Sequence, residues 1–245
     1  MKKLIFQTGG PFHPVAAQAK VIQSWIPNDW ILEPAFGADA FEKLTDADLY
    51  VAAGLHWTGL DDISSLIGSA PEPPIWASAQ IEKHPYIPPT DQQKSNFRNF
   101  VQSGRPILAF HGGIMSYDDW PEYRCLLGFR WEIGITDHTL YSEWEVKIKS
   151  EHPVVRNVSN YRLSDELYYN VQVEPAMRAE MHAFAEFGSE GNRPAKFPMV
   201  MTGVGGRING AGKTAYLANG HSMQTFECPA LRPLWISTLN WLLES

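Results

Sequence analysis

Cysteine is scarce in this chain: of 245 residues only Cys125 and Cys228 carry a thiol, and neither stands in a CxxC or other metal-ligand spacing. A disulfide framework and a zinc knuckle are therefore unsupported, and two free thiols fit a reducing cytoplasm. Basic clusters are missing as well. With no block of Lys or Arg and a formal net charge of −7, the chain lacks the footprint of a nucleic-acid binder. Nothing approaches the roughly 20 apolar residues that cross a bilayer, so no membrane partner is expected. The opening Met1-Lys2-Lys3-Leu4-Ile5-Phe6 starts basic, but its apolar run is too short for a signal-peptide core and ends at Gly9-Gly10. It reads as a first strand. No Gly-x-Ser-x-Gly or Gly-x-Cys-x-Gly elbow occurs, so no motif announces a serine or thiol nucleophile. There is no internal repeat and no low-complexity tract.

Large apolar side chains, by contrast, are plentiful. Nine Trp and twelve Phe bury enough area for a sizeable core, and one α/β domain over residues 1–245 is the simplest reading. Strand and helix signals alternate. Leu4 to Thr8 reads as a strand, Val15 to Ile26 as a helix, Trp30 to Pro34 as a second strand, Ala38 to Leu44 as a short helix and Ala47 to Gly54 as a third strand. Ser69 to Thr90 is rich in proline and has no period, which marks a long excursion. Asp91 is placed to cap a helix ending at Gly104. Ser116 to Gly128 reads as another helix closed by glycine, and Glu143 to Lys149 alternates as an antiparallel or edge strand does. Phe197 to Thr202 and Thr214 to Ala218 are further strands, and Pro229 to Leu243 is a final helix.

The run Pro106 to Phe110 is apolar throughout, as a strand buried on both faces must be, and it ends in His111-Gly112-Gly113. Open α/β sheets bind ligands beyond the carboxyl ends of such strands. Thr214 to Asn219 ends the same way, in Gly220-His221. Two strand-end histidines far apart in sequence point to one shared site. His13 follows the first strand and His56 the third, while Asp165, Glu166 and Tyr168 form a polar island between strands. Histidine moves protons near neutrality or ligates metal, and a carboxylate beside it orients it or completes a metal shell. Asp165-Glu166 has a plainer alternative as the cap of a helix at Leu167. Trp57 and Trp120 are either core or platforms for sugar rings. His138 is left open between a site and a surface role; His84, His152 and His182 read as surface or satisfied polar residues. Gly212-Lys213-Thr214 superficially resembles a phosphate loop, but a strand follows where a helix is needed, so a hairpin is expected.

Taken in series, these pieces resemble the trehalose-utilisation (ThuA-like) family, a branch with the class I glutamine amidotransferase-like fold. The matching pieces are Gly9-Gly10 with His13, Ala109 to Gly113, Glu151-His152-Pro153-Val154, Leu163-Ser164-Asp165-Glu166-Leu167-Tyr168, Phe197-Pro198-Met199-Val200 and Gly212 to His221. The segments Ser69 to Thr90 and Ala176 to Arg193 find no counterpart. The resemblance implies a flavodoxin-like three-layer α/β/α sandwich with a mostly parallel sheet and antiparallel edge strands. In amidotransferases the strand-end elbow holds a cysteine, and the late histidine belongs to a His-Pro-Glu motif. Here His111 stands in the elbow position, and Ser222-Met223 follows His221. That departure removes glutaminase chemistry, because without a thiolate there is no acyl-enzyme route.

The leading expectation is a cytoplasmic carbohydrate-catabolism enzyme acting on a disaccharide-derived sugar or keto-sugar, of isomerase, hydratase or lyase type. His111, His221, Glu166 and Tyr168 are its expected catalytic groups. His13, His56, Trp57, Gly112, Gly113, Trp120 and Asp165 are the expected substrate contacts. In a metal-assisted version His111, His221 and Glu166 hold one divalent ion, zinc, manganese or iron. The competing reading is a non-catalytic sugar-binding or regulatory protein that kept the scaffold after losing the nucleophile, and an amide hydrolase comes last. A homodimer is expected from the prevalence of pairing among soluble oligomers.

Overall fold

The computed structural model describes residues 1–59, 86–187, 195–205 and 212–244. In chain order the strands are β1 (Lys2–Thr8), β2 (Trp30–Phe36), β3 (Leu49–Ala52), β4 (Ile107–Phe110), β5 (Phe129–Arg130), β6 (Asp137–His138), β7 (Ser142–Ile148), β8 (Tyr161–Asp165), β9 (Tyr168–Tyr169), β10 (Gln172–Val173), β11 (Arg178–Phe187), β12 (Ala195–Val204) and β13 (Lys213–Leu217). The helices are α1 (Val15–Trp25), α2 (Asp91–Gln102), α3 (Pro121–Leu127) and α4 (Leu231–Leu243). Nine strands form one sheet in the order β2-β1-β3-β4-β13-β12-β11-β7-β8. The first five are parallel and the last four continue antiparallel to one edge.

Both faces of the parallel half are covered, which is why β3 and β4 are buried at every position. On one face Phe6 and Phe110 pack on Trp235 of α4 at ring separations of 6.5 and 5.0 Å. On the other, Tyr50 meets Phe41 and Phe97, and Phe97 meets Tyr123 of α3. Helices on both sides of a sheet make the three layers of a flavodoxin-like α/β fold. Among the described residues no helix is long and apolar enough to cross a membrane.

Local chemistry corrects three expectations. Thr90, not Asp91, caps α2, because Thr90 and Gln93 exchange the two bonds of a capping box. The segment from Ser116 to Trp120 is not helical: the Ser116 hydroxyl is spent on Gly54 O and His56 N, and Tyr117 sits at φ 54°. The helix starts only at Pro121 and stops at Gly128, whose φ of 85° suits glycine. Nor do Asp165-Glu166 cap a helix, since Leu167 leads into β9 instead. Lys213 and Thr214 pair with Val204 and Gly203 in the expected hairpin. Most of the Ser69 to Thr90 excursion, with His84, lies outside the described residues.

The chain leaves β1, turns to β2 on one side, then crosses to β3 and β4 on the other. Such a reversal opens a crevice outside the carboxyl ends of the strands. The segments that follow β1, β3, β4 and β13 all emerge there.

Candidate active site

Four strand ends build a cavity of about 240 Å³. The loop after β1 supplies Phe12 and His13, that after β3 Leu55 and Trp57, and that after β4 Gly112 and Met115; His221 follows β13. Glu166, at the end of β8, and Tyr168 of β9 close it from the antiparallel side, with Trp131 and His138 beside them. His138 is brought in by pairing directly with Tyr168.

His111 occupies a sharp elbow. Its φ is 42°, a left-handed value that L residues adopt only when their surroundings impose it. The ring donates from Nδ1 to Ala218 O at 2.6 Å, so its lone pair lies on Nε2, which accepts the Tyr168 hydroxyl at 3.0 Å. Close approach of β4 and β13 requires Gly220, where a Cβ would stand 2.4 Å from the Phe110 ring and 2.9 Å from His111 Cβ. Gly112 is needed for a different contact: a Cβ there would lie 2.5 Å from Cε1 of His13.

Asp165 fixes the two sides to each other. Its buried carboxylate accepts the backbone N–H of Glu166 at 2.8 Å, of Gly220 at 2.8 Å and of His221 at 3.2 Å. One side chain thereby sets the spacing between Glu166 and His221, whose Oε2 and Nδ1 are 3.1 Å apart. Glu166 Oε1 lies 3.4 Å from His138 Nδ1. The His13 ring stands edge-on to His111 and His221 at 4.5 and 5.2 Å.

Burial sets the charge states. It pushes the His111 imidazolium down to about 3, with the neighbouring His221 adding to the effect. His13 is held well below its ordinary value by burial and then by His111 and His221. Both rings are neutral near pH 7. Burial also opposes ionisation of Glu166, but the bond from His221 and the imidazoles gathered around it outweigh burial and hold this carboxyl low. Tyr168 is driven well above its ordinary value by burial and by Glu166, so it keeps its proton. Burial raises Asp165 to about 7 against the three N–H groups that favour its anion. One ligand atom each from His13, His111, Glu166 and His221 lies within 4.8 Å of the other three, so these residues could together hold a metal ion.

A family model described as ThuA, trehalose utilisation, matches residues 76–242. The chain belongs to the ThuA family. Among solved structures, a putative ThuA-like protein from Parabacteroides merdae shares 15% identity over 99% of this chain and 90% of its own, with a TM-score of 0.69. A putative ThuA-like protein from Bacteroides uniformis shares 17% over 99% and 91%, with a TM-score of 0.63. At these identities the likeness speaks for the fold. No curated protein matches the chain.

In this ThuA chain the expected residues divide into two groups. His13, Trp57, Gly112, Glu166, Tyr168 and His221 line the cavity. His111 does not, being 2% exposed and reaching the cavity through Tyr168 and His13. Asp165 is buried and occupied with backbone. His56 lies beneath the floor, where Nε2 meets Thr8 O at 2.9 Å and the ring stacks on Tyr117. Gly113 packs against β3, where a Cβ would stand 2.0 Å from Ala52 O. Trp120 belongs to the aromatic core with Phe41, Phe97 and Tyr123, not to the cavity wall. The ThuA cavity also has walls that the sequence reading passed over: Trp131, Phe12, Leu55 and Met115. They belong to loops and, for Met115, to a single short 3-10 turn over His111–Met115, where apolar content carries no period to read.

Proposed function

We propose that this chain is an enzyme acting on a disaccharide-derived sugar or keto-sugar, and that it works by proton transfer next to a sugar carbonyl. The observation that carries the reading is the Glu166–His221 pair, 3.1 Å apart, on the same cavity as the protonated Tyr168 hydroxyl. A base and a neutral hydrogen-bond donor facing one space are what enolisation needs. His221 takes a proton from the carbon alpha to the carbonyl as that C–H bond breaks. The electron pair moves onto the carbonyl oxygen, to which Tyr168 turns the hydroxyl proton it otherwise gives to His111 Nε2. Glu166 stabilises the imidazolium that forms. Where the alpha carbon bears a hydroxyl, passage of that hydroxyl's proton to the enolate oxygen and return of the abstracted proton to the former carbonyl carbon complete an isomerisation; departure of a group from the beta carbon with its bonding pair, as the carbonyl re-forms, completes an elimination. His111 acts through Tyr168, holding its hydroxyl until the substrate oxygen takes over that bond.

The reading takes the partner to be a small sugar, the working unit a homodimer of single-domain chains, and the compartment the cytoplasm, in keeping with two free cysteines. Family membership in trehalose utilisation supports the substrate class. Turnover of a 3-keto-glycoside by the wild-type chain, with His221→Ala inactive and still folded, is the expected result. Binding of the sugar without any turnover assigns a sugar-binding role instead, and equal turnover by His221→Ala removes the pair from the chemistry.

A further inference from the structure

From the geometry of the same site we infer that His13, His111, His221 and Glu166 form a binding site for one divalent transition-metal ion, in competition with the Tyr168 hydroxyl for the lone pair of His111. This deepens the enzymatic reading above and rests on it for what the ion would act upon; with the ion bound the lone pair of His221 is spent as a ligand, so the base role given to His221 belongs to the ion-free chain. Three imidazoles and a carboxylate converge with ligand atoms within 4.8 Å of one another, the donor set that zinc, manganese and iron(II) accept. Convergence alone is not enough, but two further observations point to a cation.

The first is an orphaned buried nitrogen. His13 is 9% exposed, and its Nδ1 has no hydrogen-bond partner among the described residues. A buried polar atom left in this way costs free energy unless something fills the space beside it. The second is a buried carboxylate without a permanent cation beside it. Glu166, also 9% exposed, pairs with the imidazoles of His138 and His221, and no Lys or Arg among the described residues pairs with it or with Asp165. A buried carboxylate faced only by histidines is an expensive arrangement, and a doubly charged ion balances it. The ion would polarise a carbonyl or lower the pKa of a bound water.

The hydrogen bond from His111 Nδ1 to Ala218 O has two consequences. It orients the ring as outer carbonyls orient metal-bound histidines, and it leaves Nε2 as the atom on offer. Tyr168 now occupies that lone pair at 3.0 Å. Metal and tyrosine cannot both use it, so entry of the ion requires the hydroxyl to turn away. This predicts an unusual sign for a substitution inside a site.

The test is calorimetric titration of the full chain, stripped with a chelator, using Zn²⁺ and then Mn²⁺. One ion per chain is expected. His13→Ala and Glu166→Gln should each weaken binding at least ten-fold, roughly the scale of changes around a metal site, while His152→Ala, remote from the cavity, leaves it unchanged. Tyr168→Phe should bind as tightly as the wild type or more tightly. Circular dichroism checks each fold, and the near-isosteric Glu166→Gln carries the test if His13→Ala does not fold. Absence of saturable binding overturns the inference, as do unchanged affinity in Glu166→Gln or a ten-fold loss in Tyr168→Phe. Its failure is separable from that of the enzymatic reading. Absence of saturable binding together with keto-sugar turnover refutes the ion and keeps the enzyme, whereas saturable binding without turnover keeps the ion and refutes the enzyme.

Discussion

Tyr168 gives its hydroxyl proton to Nε2 of His111 across 3.0 Å, and this bond links a strained elbow beneath the cavity to a phenol on its wall. In the proposed chemistry the elbow histidine therefore works at one remove from the substrate. Replacing Tyr168 by Phe keeps the ring and its packing but deletes the group that would steady an enolate oxygen. The expected outcome is a fall in kcat of roughly 10²–10⁴-fold with KM nearly unchanged. Steady-state kinetics on a 3-keto-glycoside gives the answer, and a KM effect alone assigns Tyr168 to binding.

The adjacent glycines of the elbow separate function from folding. At Gly112 an added Cβ meets the His13 ring at 2.5 Å, a side chain that can swing aside. At Gly113 it meets the Ala52 carbonyl oxygen at 2.0 Å, which belongs to the sheet. Gly112→Ala should therefore keep its melting temperature within a few degrees and lose turnover. Gly113→Ala should unfold at clearly lower temperature or fail to accumulate. Thermal denaturation beside turnover distinguishes the two outcomes.

Two tryptophans invert the expectation drawn from composition. Trp131→Ala opens the cavity wall next to Tyr168, from which its ring is 5.0 Å away, and should raise KM roughly two- to ten-fold, the worth of one aromatic contact. Trp120→Ala empties a place in the core against Phe41, Phe97 and Tyr123 and should cost roughly 3–5 kcal/mol of stability. The reverse pattern in KM and denaturant midpoint would return Trp120 to the site.

Away from the cavity, His182 is buried, hydrogen-bonded to Ser150 and Thr202, and stacked on His152 at 4.1 Å. Burial, with His152 adding to it, pushes its pKa down to about 4 from an ordinary 6.5. A depressed histidine pKa means that the unfolded chain binds the proton first. The contribution of the neutral ring is thus complete above about pH 6.5 and is lost as pH falls towards 4. The melting-temperature difference between wild type and His182→Asn should shrink over that interval. A difference that stays constant from pH 7.5 to 4.5 would contradict this account.

Much of the site could be read from the strands, because a doubly covered parallel strand cannot hide its apolar run, and Phe110-His111 and Asn219-Gly220-His221 each mark where such a run stops. The polar island of Asp165, Glu166 and Tyr168 was legible as chemistry but not as geometry. Only the fold shows that Asp165 spends both oxygens on backbone N–H groups of two segments more than fifty residues apart, and so positions Glu166 rather than meeting a sugar. Trp120 and Trp57 looked alike in sequence because each flanks a polar loop, yet one faces Phe41 and the other the cavity. Trp131, Met115 and Phe12 were invisible for the converse reason, since irregular loops have no period. The expected helix from Ser116 ran too long because nothing in the residue types announces that the Ser116 hydroxyl serves β3's loop instead of a helix amide.

The central claim is that His221 and Glu166 act together on one reacting atom, and a double-mutant cycle measures that most directly. The values of kcat/KM for His221→Ala, Glu166→Gln and the double variant, on a 3-keto-glycoside, should show each single change costing at least a hundred-fold and the double costing little more than the worse single. Losses that multiply in the double variant, or full turnover in either single, would contradict it.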